Sequence, residues 1–192
     1  MVNKILRRIA RFFLDFMETI VIALSIFLIV YLFFIQPHQV NGQSMVPNFQ
    51  SGEYVLTDKI TYRFRDPQRG EIVVFHAPAE AHCPKGTGCD FIKRVLAVPG
   101  DIVEVRDNSI IVNGQALKES YIPADFQTLA GPFTKGRKIT IGPDEYFCVG
   151  DNRPYSSDSR SWGPVPRSNI VGRAFFRYWP SSVVGVIEAA SY

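Results

Sequence analysis

The part of the chain that can fold into a domain has no excess of charge of either sign. The first 16 residues hold four basic side chains against Asp15: Lys4, Arg7, Arg8 and Arg11. The other residues carry 17 basic and 17 acidic side chains. A nucleic-acid-binding domain needs a basic face on its folded part, so this balance argues against nucleic acid as a partner.

Cysteine and histidine are scarce, with three residues of each. One group has the residue types of a metal site: His82, Cys83, Cys89 and Asp90. Its spacing matches no strong zinc pattern, so we expect no metal site. Cys83 and Cys89 bracket a short turn-rich stretch and could form a disulfide in an oxidising compartment. Cys148 lies in an apolar run, where a buried structural thiol is expected.

Charged residues are also absent from Thr19 to Ile35. As a helix rising about 1.5 Å per residue, this stretch would cover roughly 26 Å, close to the hydrocarbon thickness of a bilayer. A cleaved secretory signal is the alternative, but the apolar run exceeds the usual ~7 to 15 residues and no A-x-A pattern follows it. We therefore predict a transmembrane helix over residues 17–36, ending near Gln36 because Pro37 cannot continue it.

After this helix, the sequence has no internal repeat, no low-complexity segment and no long helical run. Short runs of β-branched and aromatic residues are divided by turn residues, which predicts a mainly β domain over residues 37–192. Asn113-Gly114 predicts a two-residue hairpin, because both turn positions need positive φ. The predicted strands are Tyr54–Thr57, Ile72–Phe75, Phe91–Val98, Ile102–Arg106, Ser109–Val112, Tyr146–Val149, Ala174–Tyr178 and Val183–Ile187.

Two segments could supply a nucleophile and a base. Ser44 stands between Gly42 and Pro47 on a backbone that is expected to be bent and exposed, as a nucleophile requires. A turn without catalytic function is the common alternative for such a serine. In the strand Phe91–Val98, alternation places one basic residue among apolar neighbours. If that residue is Lys93, burial can lower its pKa by ~3 units from about 10.4 and make it a usable base.

The alternative for Lys93 is an edge-strand lysine whose ammonium group stays in water. A third segment, Gly150–Gly163, is rich in hydroxyls, carboxylates and arginines, and could be a solvated turn. Its functional interpretation is a support for the lysine. In that case Asp158 pairs with Arg160 or Arg153, and Ser156 donates a hydrogen bond to the neutral amine.

Together with the segment 69–75 (RGEIVVF), these segments closely resemble, in order, the motif boxes of bacterial type I signal peptidases, also called leader peptidases. The resemblance implies a signal-peptidase-like folded β-sheet or barrel with one N-terminal transmembrane helix. It implies that Ser44 is the nucleophile and Lys93 the general base of a Ser-Lys dyad. It also implies a supporting role for the matching residues of the third segment: Ser156, Asp158, Arg160, Asp151 and Arg153.

One departure from the family concerns the oxyanion. Some members have a serine two residues before the nucleophile, where this chain has Gly42. The backbone N–H of Ser44 is then expected to help hold the oxyanion. The resemblance also implies a peptide substrate that lies extended along a strand edge. The small residues that precede its cleaved bond should enter shallow apolar pockets. The residues predicted to line these pockets are Val40, Met45, Phe91 and Ile92.

The family implies a serine endopeptidase that removes signal peptides from exported precursor proteins at the outer face of a bacterial cytoplasmic membrane. Its basic N-terminal segment, residues 1–16, would be cytoplasmic, and the catalytic domain, residues 37–192, exocytoplasmic. The expected partners are these precursors and membrane lipid. The resemblance implies no cofactor and no required protein subunit.

Three alternatives are open at this point. A Ser-His-Asp triad could use His38, His76 or His82, although none of them stands in a recognisable catalytic context. A dedicated peptidase could process a single pilus or conjugation precursor. A membrane-anchored β domain could bind exported proteins without cutting them, but the presence of both Ser44 and Lys93 in matching motifs argues against it.

Overall fold

The computed structural model describes residues 2–81 and 89–192. His82 and Cys83 lie outside the described residues, so the pairing of Cys83 with Cys89 stays a prediction. The helices are α1 (Val2–Phe33), α2 (Thr61–Phe64) and α3 (Ser159–Trp162). The strands are β1 (Ile35–Gln39), β2 (Tyr54–Asp58), β3 (Ile72–His76), β4 (Asp90–Ala97), β5 (Ile102–Arg106), β6 (Ser109–Val112), β7 (Gln115–Ala116), β8 (Lys138–Thr140), β9 (Glu145–Val149), β10 (Val165–Pro166), β11 (Ile170–Trp179) and β12 (Gly185–Val186).

The long helix α1 precedes all the strands, and its segment Ile5–Phe33 is long and apolar enough to cross a membrane. The helix ends at Phe33 and not near Gln36, because the chain from Ile35 onward pairs with β2. Pro37 lies within β1 at the edge of the sheet, where a residue without an N–H is tolerated.

Two antiparallel sheets contain the strands of the described residues, which confirms the prediction of a mainly β fold. The larger sheet has the order β1-β2-β11-β3-β4-β9-β10, with β12 added to β11, and the smaller has the order β7-β6-β5-β8. His38 of β1 comes within 3.7 Å of Asp90 of β4, although three strands separate β1 from β4 in this order. The larger sheet is therefore strongly curled, and the ends of β1 and β4 meet across it.

The hairpin predicted at Asn113-Gly114 is present between β6 and β7. Both residues have positive φ, 52° for Asn113 and 83° for Gly114. Positive φ at both central positions matches the right-handed twist of the strands that the turn joins. The local sequence therefore determines this turn.

Strand β4 is buried on both of its faces. Leu96 and Ala97 pack in one apolar cluster, whereas Val95 packs in another. Both basic residues of the strand, Lys93 and Arg94, are consequently buried, with 3% and 4% exposure. Strand alternation alone predicted only one of them among apolar neighbours.

Candidate active site

The segment that carries Ser44 is held by its own apolar side chains and by the loop after β9. Met45 and Phe49 are buried in the core, and the Phe49 N–H donates to the Met45 carbonyl at 2.9 Å. Asn152 donates twice: its backbone N–H to the Ser44 carbonyl and its side-chain Nδ2 to the Gln43 carbonyl, each at 2.9 Å. These bonds fix the backbone on both sides of the Ser44 hydroxyl.

Gly150, which follows β9, allows the nucleophile segment to approach closely. A Cβ at this position would lie 2.2 Å from Ser156 Oγ and 2.5 Å from the Ser44 carbonyl oxygen. Real Cβ atoms do not approach other heavy atoms so closely, so the position requires glycine because of space.

Lys93 reaches from β4 to the nucleophile. Its Nζ lies 2.8 Å from Ser44 Oγ and 3.1 Å from the Ile92 carbonyl oxygen, and the Phe91 ring centroid is 5.0 Å away. Burial lowers the pKa of the Lys93 amine to about 8, and the negative charge of Asp158 partly opposes this shift. About one tenth of the amine is then neutral at pH 7, and the neutral amine can accept the proton of the Ser44 hydroxyl.

Asp158 pairs with Arg160, which decides between the two partners that the sequence left open. Two side-chain hydrogen bonds of 2.8 Å join them, and Asp158 also accepts the Gly150 N–H at 3.1 Å. Cys148 lies beside this pair as a buried free thiol, as predicted, and burial raises its pKa. Through the Gly150 N–H, the pair fixes the loop to the end of β9.

Arg153 pairs with Glu119, a residue that no motif in the sequence indicated. The guanidinium group contacts both Glu119 carboxylate oxygens, Nη1 at 2.7 Å from Oε2, and Nε donates to the Gly150 carbonyl at 3.1 Å. Arg160 in turn donates to the Arg153 carbonyl at 2.8 Å. Glu119 stands 34 residues before Arg153 in an irregular segment, so no motif or periodicity pointed to it.

Asp151 joins three segments that carry motifs. It accepts two hydrogen bonds from Arg94 of β4, at 2.9 and 2.7 Å, and one from Asn48 Nδ2 at 2.8 Å. Arg94 Nη1 also donates to the Gly70 carbonyl at 3.0 Å. Arg94 and Asn48 were not predicted as site residues. A buried charge needs a partner. The burial of β4 on both faces, had it been visible in the sequence, would therefore have predicted a partner for Arg94.

Ser156 corrects one expectation. Its Oγ is buried and has no hydrogen-bond partner among the described residues, so the expected bond to the Lys93 amine is not formed. The hydroxyl instead lies against Gly150. Its contribution in this structure is contact with the end of β9.

An open cleft of about 550 Å³ leads to the dyad. Of the four residues predicted to line the substrate pockets, Phe91 and Ile92 lie in this cleft, whereas Val40 and Met45 are buried in the core with 3% and 1% exposure. The complete lining is Gln39, Asn41, Gly42, Gln43, Ser44, Asp90, Phe91, Ile92, Lys93, Tyr155 and Ser157.

The histidines have other partners. His38 Nδ1 lies 2.9 Å from Thr57 Oγ1, and His76 Nδ1 lies 2.6 Å from Asp90 Oδ1. Neither histidine contacts Ser44 in the part of the chain that the structure describes. A Ser-His-Asp triad with His38 or His76 therefore has no support from the geometry.

Comparisons with known proteins give a consistent result. Residues 13–179 match the family described as "Signal peptidase, peptidase S26". Probable signal peptidase I-2 of Synechocystis sp. is 39% identical over 174 residues, which cover 91% of this chain and 77% of that protein. Signal peptidase I of Leptolyngbya laminosa is 37% identical over 172 residues, covering 88% and 80%. Signal peptidase IB of Staphylococcus aureus is 34% identical over 181 residues, covering 88% and 91%. A crystal structure of a signal peptidase I from Enterococcus faecalis has a TM-score of 0.45 and 30% identity, and it covers 57% of this chain and 97% of that one.

Proposed function

Because this chain belongs to the signal peptidase family, peptidase S26, and is a serine endopeptidase that removes signal peptides from exported precursors, we propose that Ser44 is its nucleophile and Lys93 its general base. Family membership confirms the resemblance that the motifs indicated. The observation that carries the proposal is the 2.8 Å distance between the Ser44 hydroxyl and a buried amine of lowered pKa.

The dyad acts in two stages. Neutral Lys93 takes the Ser44 proton while Oγ attacks the carbonyl carbon of the scissile bond. The protonated amine then gives its proton to the leaving nitrogen, the C–N bond breaks, and the mature protein leaves with a new amino group. In the second stage a water molecule loses a proton to Lys93 and attacks the acyl-enzyme ester. Ser44 Oγ leaves and takes the proton back from Lys93. The signal peptide is released as a carboxylic acid, which gives its proton to solvent water.

The oxyanion of both stages is held by backbone donors. The Ser44 N–H forms no hydrogen bond among the described residues, so it is free to donate to the substrate. Gly42 lines the same cleft, and a side chain there would meet nothing within 4 Å. A preorganised N–H donor of this kind is worth about 10² to 10³ in rate.

The substrate adds a strand to the free edge of β4. Residues 90–93 pair with β3 on one side, and β9 joins the other side only from Arg94 onward. The edge at 90–93 is therefore available to an extended peptide next to the dyad. Phe91 and Ile92 provide apolar contacts for the small residues before the cut.

The segment Gly150–Gly163, which we call the polar loop, keeps the dyad in place. Asp151, Asp158 and Arg160 are buried. Asp151 forms an ion pair with Arg94 of β4 and accepts a hydrogen bond from Asn48 of the nucleophile segment, while Asp158, paired with Arg160, accepts the Gly150 N–H after β9. Arg153 extends these connections to Glu119, and Ser156 packs on Gly150. A frame of buried ion pairs and hydrogen bonds of this kind holds catalytic groups within a fraction of an ångström.

Helix α1 anchors the enzyme in the cytoplasmic membrane. We assign residues 1–16 to the cytoplasmic side, the rest of α1 up to Phe33 to the membrane and the β domain from β1 onward to the outer side, because the surplus of basic residues lies before the apolar run. Membrane lipid then surrounds α1, none of whose apolar window is buried in the protein. Anchoring places the cleft where translocated precursors emerge.

The test is cleavage of a precursor by Ser44→Ala and Lys93→Ala enzymes, with binding measured in parallel. Both variants should bind the precursor with wild-type affinity, and kcat should fall by about 10³ or more. Lys138→Ala is the matched control, because this lysine side chain is 73% exposed and should leave kcat unchanged. Substantial turnover by either dyad variant removes that residue from its proposed role.

A further inference from the structure

The edge of β4 is divided into a free part and an occupied part. Residues 90–93 are open beside the cleft, whereas Arg94 pairs with Val149 of β9. Immediately after β9 the chain turns at Gly150 into the polar loop. A peptide that follows the free edge past Ser44 cannot continue along β4.

The free edge accommodates the residues before the cut. At about 3.3 Å per residue, the stretch from Asp90 to Ile92 faces three substrate residues, and its apolar side chains suit the small residues expected there. The residues after the cut must therefore leave the sheet and pass over the turn Arg153–Tyr155. Tyr155 is 74% exposed and lines the cleft at this point.

A second cleft of about 360 Å³ lies on the other side of this turn. Pro154 and Arg153 form one wall, and the segment Asp125–Leu129 forms the other. Arg153 is neutralised by Glu119, whereas no ion pair of Asp125 occurs among the described residues. Leu129 is 65% exposed. The cleft therefore combines the apolar surfaces of Leu129 and Pro154 with the negative charge of Asp125.

We propose that this second cleft binds the mature part of the precursor, at the second to fourth residue after the cut, and discriminates by charge. Asp125 favours a basic residue there and disfavours an acidic one, while Tyr155, Pro154 and Leu129 contact the extended chain. The proposal rests on the proposed function, because it takes Ser44 as the point of cleavage. Its occupant is the substrate, since the cleft continues the catalytic one across a single turn.

The experiment uses the full-length enzyme in detergent micelles and three precursors. They are identical except for Lys, Gln or Glu at the third residue after the cut. Wild-type enzyme should cleave the Lys precursor with about fivefold higher kcat/KM than the Glu precursor, the size expected for a partly exposed charge pair. The ratio should approach one in high salt.

Asp125→Asn should abolish the ratio, and Asp125→Lys should invert it. Asp66→Lys is the matched control, because the Asp66 side chain is 83% exposed and lies outside both clefts, so it should leave the ratio at the wild-type value. A wild-type ratio of one, or an equal change in the Asp66 variant, overturns the proposal. Cleavage of the Gln precursor by the Ser44→Ala enzyme at the wild-type rate contradicts the dyad assignment instead, so the two failures are distinguishable.

Discussion

Among single residues, we expect Lys93 to control the pH dependence of catalysis, because its amine can accept a proton only when it is neutral. Burial favours the neutral form, so the pKa falls from about 10.5 to about 8, and the reactive fraction grows as pH rises through that value. We expect kcat/KM to rise about tenfold per pH unit below pH 8 and to level off above it. Rates on an uncharged peptide between pH 6 and 10 test this. A flat profile across that range contradicts a titrating lysine.

Gly150 is the second residue whose substitution has a clear consequence. In Gly150→Ala, the new methyl group must displace Ser156 Oγ or the Ser44 carbonyl. We expect kcat to fall at least tenfold at a temperature where the variant remains folded. Gly185→Ala is the control, because a Cβ there meets nothing within 4 Å. Thermal unfolding of both variants separates loss of activity from loss of fold.

The residues that could be predicted from the sequence are those in short local motifs. Ser44, Lys93 and Asp158 stand in segments whose order and spacing resemble a family. Glu119 and Asn48 could not be predicted, because each contributes through a contact with a residue far along the chain and neither stands in a local pattern. Arg94 was missed for another reason: alternation along a strand indicates which residues share a face, but not that both faces are covered.

At the scale of elements, the connection between α1 and the β domain depends on Lys59, just after β2. Its backbone N–H donates to the Phe34 carbonyl at 2.9 Å, and its Nζ donates to the Leu32 carbonyl at 2.9 Å and to Gln36 Oε1 at 3.3 Å. The side-chain bonds reinforce the orientation of the helix relative to the sheet.

Loss of these side-chain bonds in Lys59→Met should loosen the helix without affecting the dyad. We expect cleavage of a membrane-inserted precursor in proteoliposomes to fall severalfold, while cleavage of a short water-soluble peptide is unchanged. Lys138→Met, with an exposed lysine, should change neither rate. Equal losses on both substrates would show that Lys59 acts on the site itself.

Local sequence patterns predicted some of the strands and not others. The predicted strands all contain observed strand residues, because their apolar runs are long enough to be recognised. Strands β1, β8 and β10 were not predicted: β8 and β10 have three and two residues, and β1 contains a proline. Their existence depends on pairing with distant segments. The pairing of β1 with β2 also explains why α1 ends at Phe33.

At the scale of the whole molecule, buried ion pairs hold the motif segments together. Arg94→Met leaves the carboxylate of Asp151, which is fully buried, without its charge partner. We expect the free energy of unfolding to fall by about 3 to 5 kcal/mol. Arg106→Met removes the surface ion pairs of Arg106 with Asp107 and Glu104 and should cost about 1 kcal/mol or less. Urea unfolding of both variants in micelles measures the difference, and equal losses would contradict a structural role for the buried pair.

Strand β1 joins the end of α1 to the segment of the nucleophile, and its register against β2 is fixed from Ile35 to Gln39. The distance from the bilayer to Ser44 is therefore set by a rigid spacer and not by a flexible tether. Such an enzyme selects its precursors by the distance between their cleavage site and the membrane as well as by their sequence. A precursor with the correct small residues but a cut too near to, or too far from, its own apolar helix should escape cleavage.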